Sequence, residues 1–292
     1  MFTRRSFLLT PGAGLVFSLA GLPPGNVWAD TGKLGDALRE IEAASRGRLG
    51  VHLIDTATGQ ETGWREDERF LMLSSFKLLA SAFVLDRVDR GVEKLERRIR
   101  YRPQDLVPWS PVTERHVGGQ GLSLAQLCEA TITTSDNTAA NLILASYGGP
   151  AALTAYARRL GDAVTRLDRT EPELNRHAAS GEPLDTTTPR AMAHTLNKLL
   201  LGDALKPSSR ELLLNWLLAN TTGGKRLRAG VPAGWRIGEK TGTAGDDAND
   251  IGIALPPQRA PLIVTAYLAD SRTDAATREA ALAGVGRLLS QA

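Results

Sequence analysis

The chain has 292 residues, 42% hydrophobic and 23% charged, with a formal charge of +3. That balance fits a globular protein with one large core or two coupled lobes and excludes a fibrous or disordered chain. No Lys/Arg block with interleaved aromatics stands out, which argues against nucleic acid as a partner; the single cysteine, Cys128, leaves no internal disulfide to carry the fold.

At the N-terminus, Thr3-Arg4-Arg5-Ser6-Phe7 precedes a short apolar run from Gly14 to Ala20, and Val27-Trp28-Ala29 places small residues before Asp30. This is the layout of a secretory signal of the twin-arginine type over residues 1–29. It implies export to the periplasm or beyond, and its removal leaves a mature chain of charge +1. The apolar run is too short and too interrupted by Gly and Pro for a span, and no later stretch is long enough, so no stable membrane span is expected.

Asp30 to Arg46 reads as a helix, with Leu34, Ala37, Leu38, Ile41 and Ala44 at helical spacing. Gly50–Asp55 and Glu61–Arg65 read as strands on either side of a turn. Leu73-Ser74-Ser75-Phe76-Lys77 then opens a helix whose next residues, Leu78 to Leu85, are almost wholly apolar, the mark of a buried helix. Gly91 breaks it, and Leu95 to Tyr101 forms a short return segment. Residues 103–121 are rich in Pro and Gly and read as loop. Ser123 opens a helix in which Cys128 packs inside, Ser135-Asp136-Asn137 interrupts, and Thr138–Tyr147 resumes. Gly148-Gly149-Pro150 ends that run before a helix at Ala151–Leu160.

Residues 166–188 lack apolar periodicity, and loops of that length in compact domains tend to be functional or disordered. Helices follow at Pro189–Leu201 and Ser208–Leu218. Strands follow at Trp235–Thr243, Asp250–Leu255 and Leu262–Leu268, with Pro256-Pro257 as a hairpin turn, and a last helix at Ala275–Leu289. The expected fold is α/β of the α+β type: an antiparallel sheet built from both chain ends, flanked by terminal helices, plus an all-helical lobe. The sheet domain takes residues 30–69 and 220–292, and the helical domain takes 70–219. A site is expected at their seam.

Four stretches carry chemistry. Ser74 and Lys77 are three apart on one helix face, so hydroxyl and amine can meet; a serine needs such a base to become a nucleophile. Alone, the pair also reads as a plain helix start with Ser74 as N-cap. Ser135-Asp136-Asn137 is either a capped turn or a proton relay (Ser135) beside an amide anchor (Asn137). Glu171 with Asn175 is what positioning a water requires, unless the loop is solvated and Glu171 and Glu173 are equivalent. In Lys240-Thr241-Gly242-Thr243 the strand glycine implies close approach of a backbone or ligand. There Lys240 supplies positive potential and the threonines can bind a carboxylate; the bland reading is an edge strand with its lysine in solvent. The histidines His52, His116, His177 and His194 are scattered without metal-ligand spacing, so neither metal nor cofactor is expected.

Ser74-x-x-Lys77, Ser135-Asp136-Asn137, Glu171-x-x-x-Asn175 and Lys240-Thr241-Gly242, in that order, closely resemble the motif set of the class A serine β-lactamases. The likeness runs from Asp30 to Ala292 and includes Trp109-Ser110-Pro111-Val112-Thr113 and Asp185-Thr186-Thr187-Thr188-Pro189. It implies that Ser74 attacks the lactam carbonyl, with the Ser74 and Thr243 N–H groups as oxyanion hole. It also implies that Ser135 protonates the leaving nitrogen and that Asn137 holds the antibiotic's amide. Glu171 and Asn175 would activate the deacylating water, with the acylation base open between Lys77 and Glu171. Lys240, Thr241 and Thr243 would bind the carboxylate, Trp109 would wall the entrance, and Arg169 would pair with Asp185 across the loop base.

Some positions depart from the family. Ser81 stands where some members have the disulfide partner of Cys128, and Leu73, not Cys, precedes the nucleophile. Asn249 stands where many carry an arginine, and Arg226 matches the alternative one. The resemblance implies an enzyme for small β-lactam antibiotics; the leader implies that it works in the periplasm or outside the cell, and a monomer is the default expectation. The competing reading is a penicillin-binding D-alanyl-D-alanine carboxypeptidase or transpeptidase, which needs no water-activating Glu171; a non-catalytic β-lactam sensor is a third.

Overall fold

The structure is a computed structural model, and it describes residues 31–291. The expected twin-arginine leader, residues 1–29, and its boundary before Asp30 lie outside the described residues. The elements in chain order are α1 (Thr31–Ser45), β1 (Arg48–Asp55), β2 (Glu61–Trp64), β3 (Phe70–Leu71), α2 (Phe76–Asp89), β4 (Arg98–Ile99), β5 (Leu122–Ser123), α3 (Leu124–Thr133), α4 (Asn137–Ser146), α5 (Gly149–Arg159), β6 (Thr186–Thr187), α6 (Pro189–Leu200), α7 (Pro207–Leu218), α8 (Leu227–Gly230), β7 (Arg236–Ala244), β8 (Asp247–Leu255), β9 (Leu262–Ala269) and α9 (Ala275–Leu288). Short 3₁₀ turns include Leu73–Ser75, directly before α2, and Glu173–Asn175 in the long loop.

Both chain ends meet in one five-stranded antiparallel sheet of order β2-β1-β9-β8-β7. Alternation along the strands sorts side chains to its two faces. Leu49, Val51 and Leu53 of β1 and Leu262, Val264, Ala266 and Leu268 of β9 join Leu34, Leu38, Leu282 and Val285 of the terminal helices in one core. Ile251, Ile253, Ile263 and Tyr267 point the other way and join the larger core of the helical lobe. With both faces covered, β1, β8 and β9 are buried almost throughout. Among the described residues, no helix is long and apolar enough to cross a membrane.

Local chemistry explains most boundaries. Ser123 and Gln126 form a reciprocal capping box at the start of α3. Asp136, Thr188 and Asp274 each accept a backbone N–H at the starts of α4, α6 and α9. Cys128 is free and fully buried, and burial pushes its thiol up to about 12.

The strand and loop readings need three corrections. β8 begins at Asp247, not Asp250, because Gly245, at φ +52°, and Asp246 close a tight hairpin that keeps Thr243 and Ala248 paired. Gly149 and Pro150 open α5 instead of only ending α4: Gly148 is the left-handed N-cap, and the proline sits where a missing N–H costs nothing. The four-residue α8 has no periodicity to announce it.

Candidate active site

Ser74 lies in the 3₁₀ turn before α2, at the seam of sheet and helical lobe. Three segments clamp this turn. The Asn249 amide of β8 donates to the Leu71 and Met72 carbonyls (2.9 and 3.1 Å). The Met72 N–H donates to the Asp185 carbonyl of the long loop (2.9 Å). β7 passes so closely that a Cβ at Gly242 would lie 2.8 Å from Leu73 Cβ and 3.2 Å from Ser74 N. The close backbone approach expected of a strand glycine is therefore the contact between the Lys-Thr-Gly strand and the turn that carries Ser74. Leu73 is held at φ +48°, and Trp109 and Ser135 at +65° and +61°. Non-glycine residues in this region cost on the order of 1–3 kcal/mol each, so the fold over-determines them.

Lys77 is fully buried at the floor of the cleft. Its Nζ lies 2.9 Å from Ser74 Oγ, 2.8 and 3.2 Å from Ser135 O and Oγ, 2.5 Å from Asn137 Oδ1 and 3.0 Å from Glu171 Oε1. Burial pulls the ammonium below its ordinary range, while the Glu171 and Asp136 charges oppose that shift. Glu171 Oε1 also sits 3.3 Å from Ser74 Oγ, and Oε2 accepts from the Asn175 amide at 2.6 Å. Glu171 is 2% exposed while Glu173 faces solvent, so the two carboxylates are not equivalent.

Lys240 is likewise buried, although β7 is a sheet edge: its Nζ donates to Ser135 Oγ (3.1 Å) and to the Thr241 carbonyl (2.8 Å). Burial and then the Lys77 charge pull it well below its ordinary range. Two amines thus donate to one Ser135 oxygen, which turns the serine's own hydrogen outward.

The remaining expected residues converge on the same cleft of about 430 Å³, lined by Ser74, Trp109, Ser135, Asn137, Glu171, Asn175, Arg226, Thr241 and Thr243. Trp109 is 65% exposed at its mouth, its indole N–H bonded to the Thr134 carbonyl. Asn137 gives one amide hydrogen to the Pro108 carbonyl (2.8 Å). Arg226 is largely buried in the wall of the cleft beside β7. It donates to the Gly242 and Asn249 carbonyls (both 2.8 Å) and to Thr243 Oγ1 (2.6 Å).

Four residues support the site: Asn141 and Thr222, which no motif names, and Asp136 and Asp185, which lie in the stretches already singled out. Asn141 grips the Glu171 backbone twice, N–H to Oδ1 and Nδ2 to carbonyl, both 2.9 Å; its one signal is standing four residues after Asn137, on the same helix face. Asp136 caps α4 and also binds the Val112 and Thr113 N–H groups, tying the Trp109 loop to the triplet. Asp185 takes the Asp168 and Arg169 N–H groups and pairs with Arg169 Nε at 2.6 Å, closing the base of the long loop. Thr222 lines the cleft and bonds Thr241.

The comparisons agree with this geometry. Residues 33–292 match a family model described as "Beta-lactamase enzyme family". "Beta-lactamase OXY-2" of Klebsiella oxytoca is 46% identical over 272 residues, 92% of this chain and 93% of its own. A "Beta-lactamase" of Streptomyces albus G is 46% identical over 98% of this chain and 96% of its own. Among solved structures, "Ancestral (GNCA) Beta-lactamase class A" superposes with TM-score 0.86 at 61% identity, covering 88% of this chain and 99% of that one.

Behind the lysine strand lies a second group. Glu239 and Thr241 share one face of β7, and the strand register sets Asp250 beside Thr241 on that face. Arg228 stands 2.9 Å from Glu239 Oε1, and the Leu227 N–H donates to Asp250 Oδ2 (3.1 Å). Both Glu239 oxygens and Asp250 Oδ1 are buried without a hydrogen-bond donor. Burial raises both carboxyls, Asp250 well above its usual range with Glu239's charge adding to the shift. A proton held by the pair would supply the missing donor.

The native pair then keeps a proton that the unfolded chain gives up near pH 4. The pair's contribution to stability should therefore fall as pH rises from about 4 toward the raised native pKa. Asp250→Asn keeps an acceptor for Leu227 and offers Glu239 an N–H donor. It should match or exceed the parent's melting temperature at pH 8 and show a flatter slope with pH. A variant equally destabilised at pH 5 and pH 8 would mean that no proton is shared.

Proposed function

The chain belongs to the class A serine β-lactamase family, and from that premise we propose how its residues open and release a β-lactam ring. The protein hydrolyses the β-lactam amide bond, the reaction by which such enzymes confer antibiotic resistance. The observation that carries the mechanism is that one hydroxyl, Ser74 Oγ, lies 2.9 Å from a buried amine and 3.3 Å from a buried carboxylate.

In this reading the Ser74 proton leaves through the Lys77–Glu171 pair as Oγ attacks the lactam carbonyl. The first turn of a helix has N–H groups without intrahelical acceptors. The Ser74 N–H and that of Thr243, on the strand pressed against it, receive the oxyanion; losing one such donor costs about 10²–10³ in rate. Ser135, its hydrogen turned outward by two lysines, protonates the departing nitrogen as the C–N bond breaks to give the acyl-enzyme; Lys77 Nζ, 3.2 Å from Ser135 Oγ, hands it the proton that left Ser74, so that Ser135 is restored and Glu171 is again a free carboxylate. Asn137 offers its second amide hydrogen to the side-chain carbonyl of penicillins and cephalosporins.

Glu171 then takes a proton from a water whose other hydrogen points to Asn175 Oδ1, a buried acceptor with no protein donor. The resulting hydroxide attacks the ester, and Ser74 leaves with a proton. Lys240 provides the field for the substrate carboxylate. Thr243, which accepts from Arg226, has its own hydrogen free to donate. Arg226 therefore acts by charge and by aiming that hydroxyl.

We assign residues 30–69 and 220–292 to one domain and 70–219 to the other, with the cleft between them. The pattern Thr3-Arg4-Arg5 supports a twin-arginine leader over residues 1–29 and a periplasmic or secreted enzyme, with a monomer as the default state.

These assignments are open to direct measurement. The parent should turn over nitrocefin continuously. Glu171→Ala should lose about 10²–10⁴-fold in deacylation and accumulate an adduct seen as a mass increase. A parent that gives only a stoichiometric burst fits the transpeptidase reading instead, and no reaction fits a sensor. Arg226→Ala should raise KM for penicillins, and an unchanged KM would refute its role at the carboxylate. Exported protein should begin at Asp30 on N-terminal sequencing and run as a monomer by light scattering.

A further inference from the structure

His52, at the centre of β1, is fully buried on the sheet face that α6 crosses. Its Nδ1 is 2.5 Å from Glu66 Oε2, and its Nε2 is 3.0 Å from Glu61 Oε2. The approach of Glu66 depends on Gly63, which pairs with His52 across the sheet, since a Cβ there would lie 2.1 Å from Glu66 Oε2. His194 of α6 brings its own Nε2 to 3.2 Å from the same Glu61 oxygen.

A neutral imidazole has one N–H. With that hydrogen on Nδ1 for Glu66, the buried Nε2 lone pair faces a carboxylate oxygen at 3.0 Å, an arrangement that requires a positive species between them. The other charged groups facing the ring do not remove the need. Glu61, Glu66 and Asp67 surround one guanidinium, Arg190, which is bonded to Glu66 and to Asp67 and stands 3.9 Å from Glu61. Three carboxylates against one guanidinium leave two negative charges, the number that a divalent cation cancels.

We propose that His52 Nε2, His194 Nε2 and Glu61 Oε2 form a binding site for a divalent ion of zinc type. Two imidazoles and a carboxylate are a zinc donor set. Bonds of about 2.0–2.1 Å to a tetrahedral ion put neighbouring donor atoms about 3.3 Å apart. The two nitrogen–oxygen separations are 3.0 and 3.2 Å, and all three donor atoms lie within 4.8 Å of one another. Glu66 is the outer carboxylate that fixes the His52 tautomer and raises the basicity of Nε2. Glu61 and His194 reach the surface, so an ion can enter and the fourth position is open to water. The ion ties β1 and β2 to α6 and holds the sheet edge to the helix that follows the catalytic loop. The residues were unreadable as a set in the sequence because 142 positions separate His52 from His194; the β1–β2 register and the packing of α6 on the sheet bring them together.

The test uses the mature chain stripped with a chelator and titrated calorimetrically with zinc chloride. One equivalent should bind and raise the melting temperature, and cobalt(II) should give the visible absorption of a tetrahedral site. His194→Ala, at a half-exposed position, should fold, hydrolyse nitrocefin as the parent does and lose at least tenfold in zinc affinity. Glu66→Gln should lose about 10–100-fold. Absence of saturable zinc binding by the parent overturns the site. Binding unchanged in His194→Ala overturns the assignment as well.

Discussion

The buried Lys77 amine is the constraint on which the rest of the site depends. An ammonium has three hydrogens, yet five acceptor atoms from Ser74, Ser135, Asn137 and Glu171 lie within 2.5–3.2 Å of Nζ. A cation without solvent is tolerated only when paired and hydrogen-bonded. Its acceptors must therefore be delivered from three separate segments, and each segment needs its own anchor. The apolar start of α2, buried from Phe76 to Leu85, removes solvent from the amine. The polar side of the cleft restores what that burial takes away.

This requirement gives the long loop its order without regular secondary structure. Its base is closed by Asp185 on the Asp168 and Arg169 N–H groups, and its active end is closed by Asn141 on the Glu171 backbone. The same Asp185 receives the Met72 N–H, two residues before the nucleophile. Nucleophile and water-activating carboxylate are thus referenced to a common peptide plane. Such fixed geometry allows dipoles to act on a developing charge without reorganising. The left-handed Leu73, Trp109 and Ser135 around the cleft are the backbone cost of that placement.

Charge behind β7 follows the same logic one layer deeper. Arg226 is buried and occupied by two carbonyls and a hydroxyl; burial lowers its pKa and the Asp250 and Glu239 charges counter that. The two acids therefore hold a guanidinium in a place where it would be unstable alone, and it in turn orients Thr243. At the other edge of the sheet, His52 is a second buried titratable group set between carboxylates. Both clusters sit where a sheet edge is roofed by a helix or loop, since that is where polar strand residues lose water.

What the sequence determined alone was local: periodicity placed every described helix except α8 and all five strands of the large sheet, but not the two-residue strands β3, β5 and β6. The four motifs named Ser74, Lys77, Ser135, Glu171 and Lys240, because each is a short spacing whose chemistry is read within a turn of helix or a few residues of strand. Tertiary structure decided how those residues are used. It buried Lys240 on an edge strand, bonded Arg226 to Thr243, and moved the start of β8 to Asp247 through a two-residue hairpin. It also set Asn141 on the Glu171 backbone and His194 beside His52 and Glu61. These outcomes rest on register between strands and on packing between segments tens to hundreds of residues apart. The free energy of such contacts belongs to the pair, so neither residue's own neighbourhood in the chain records it.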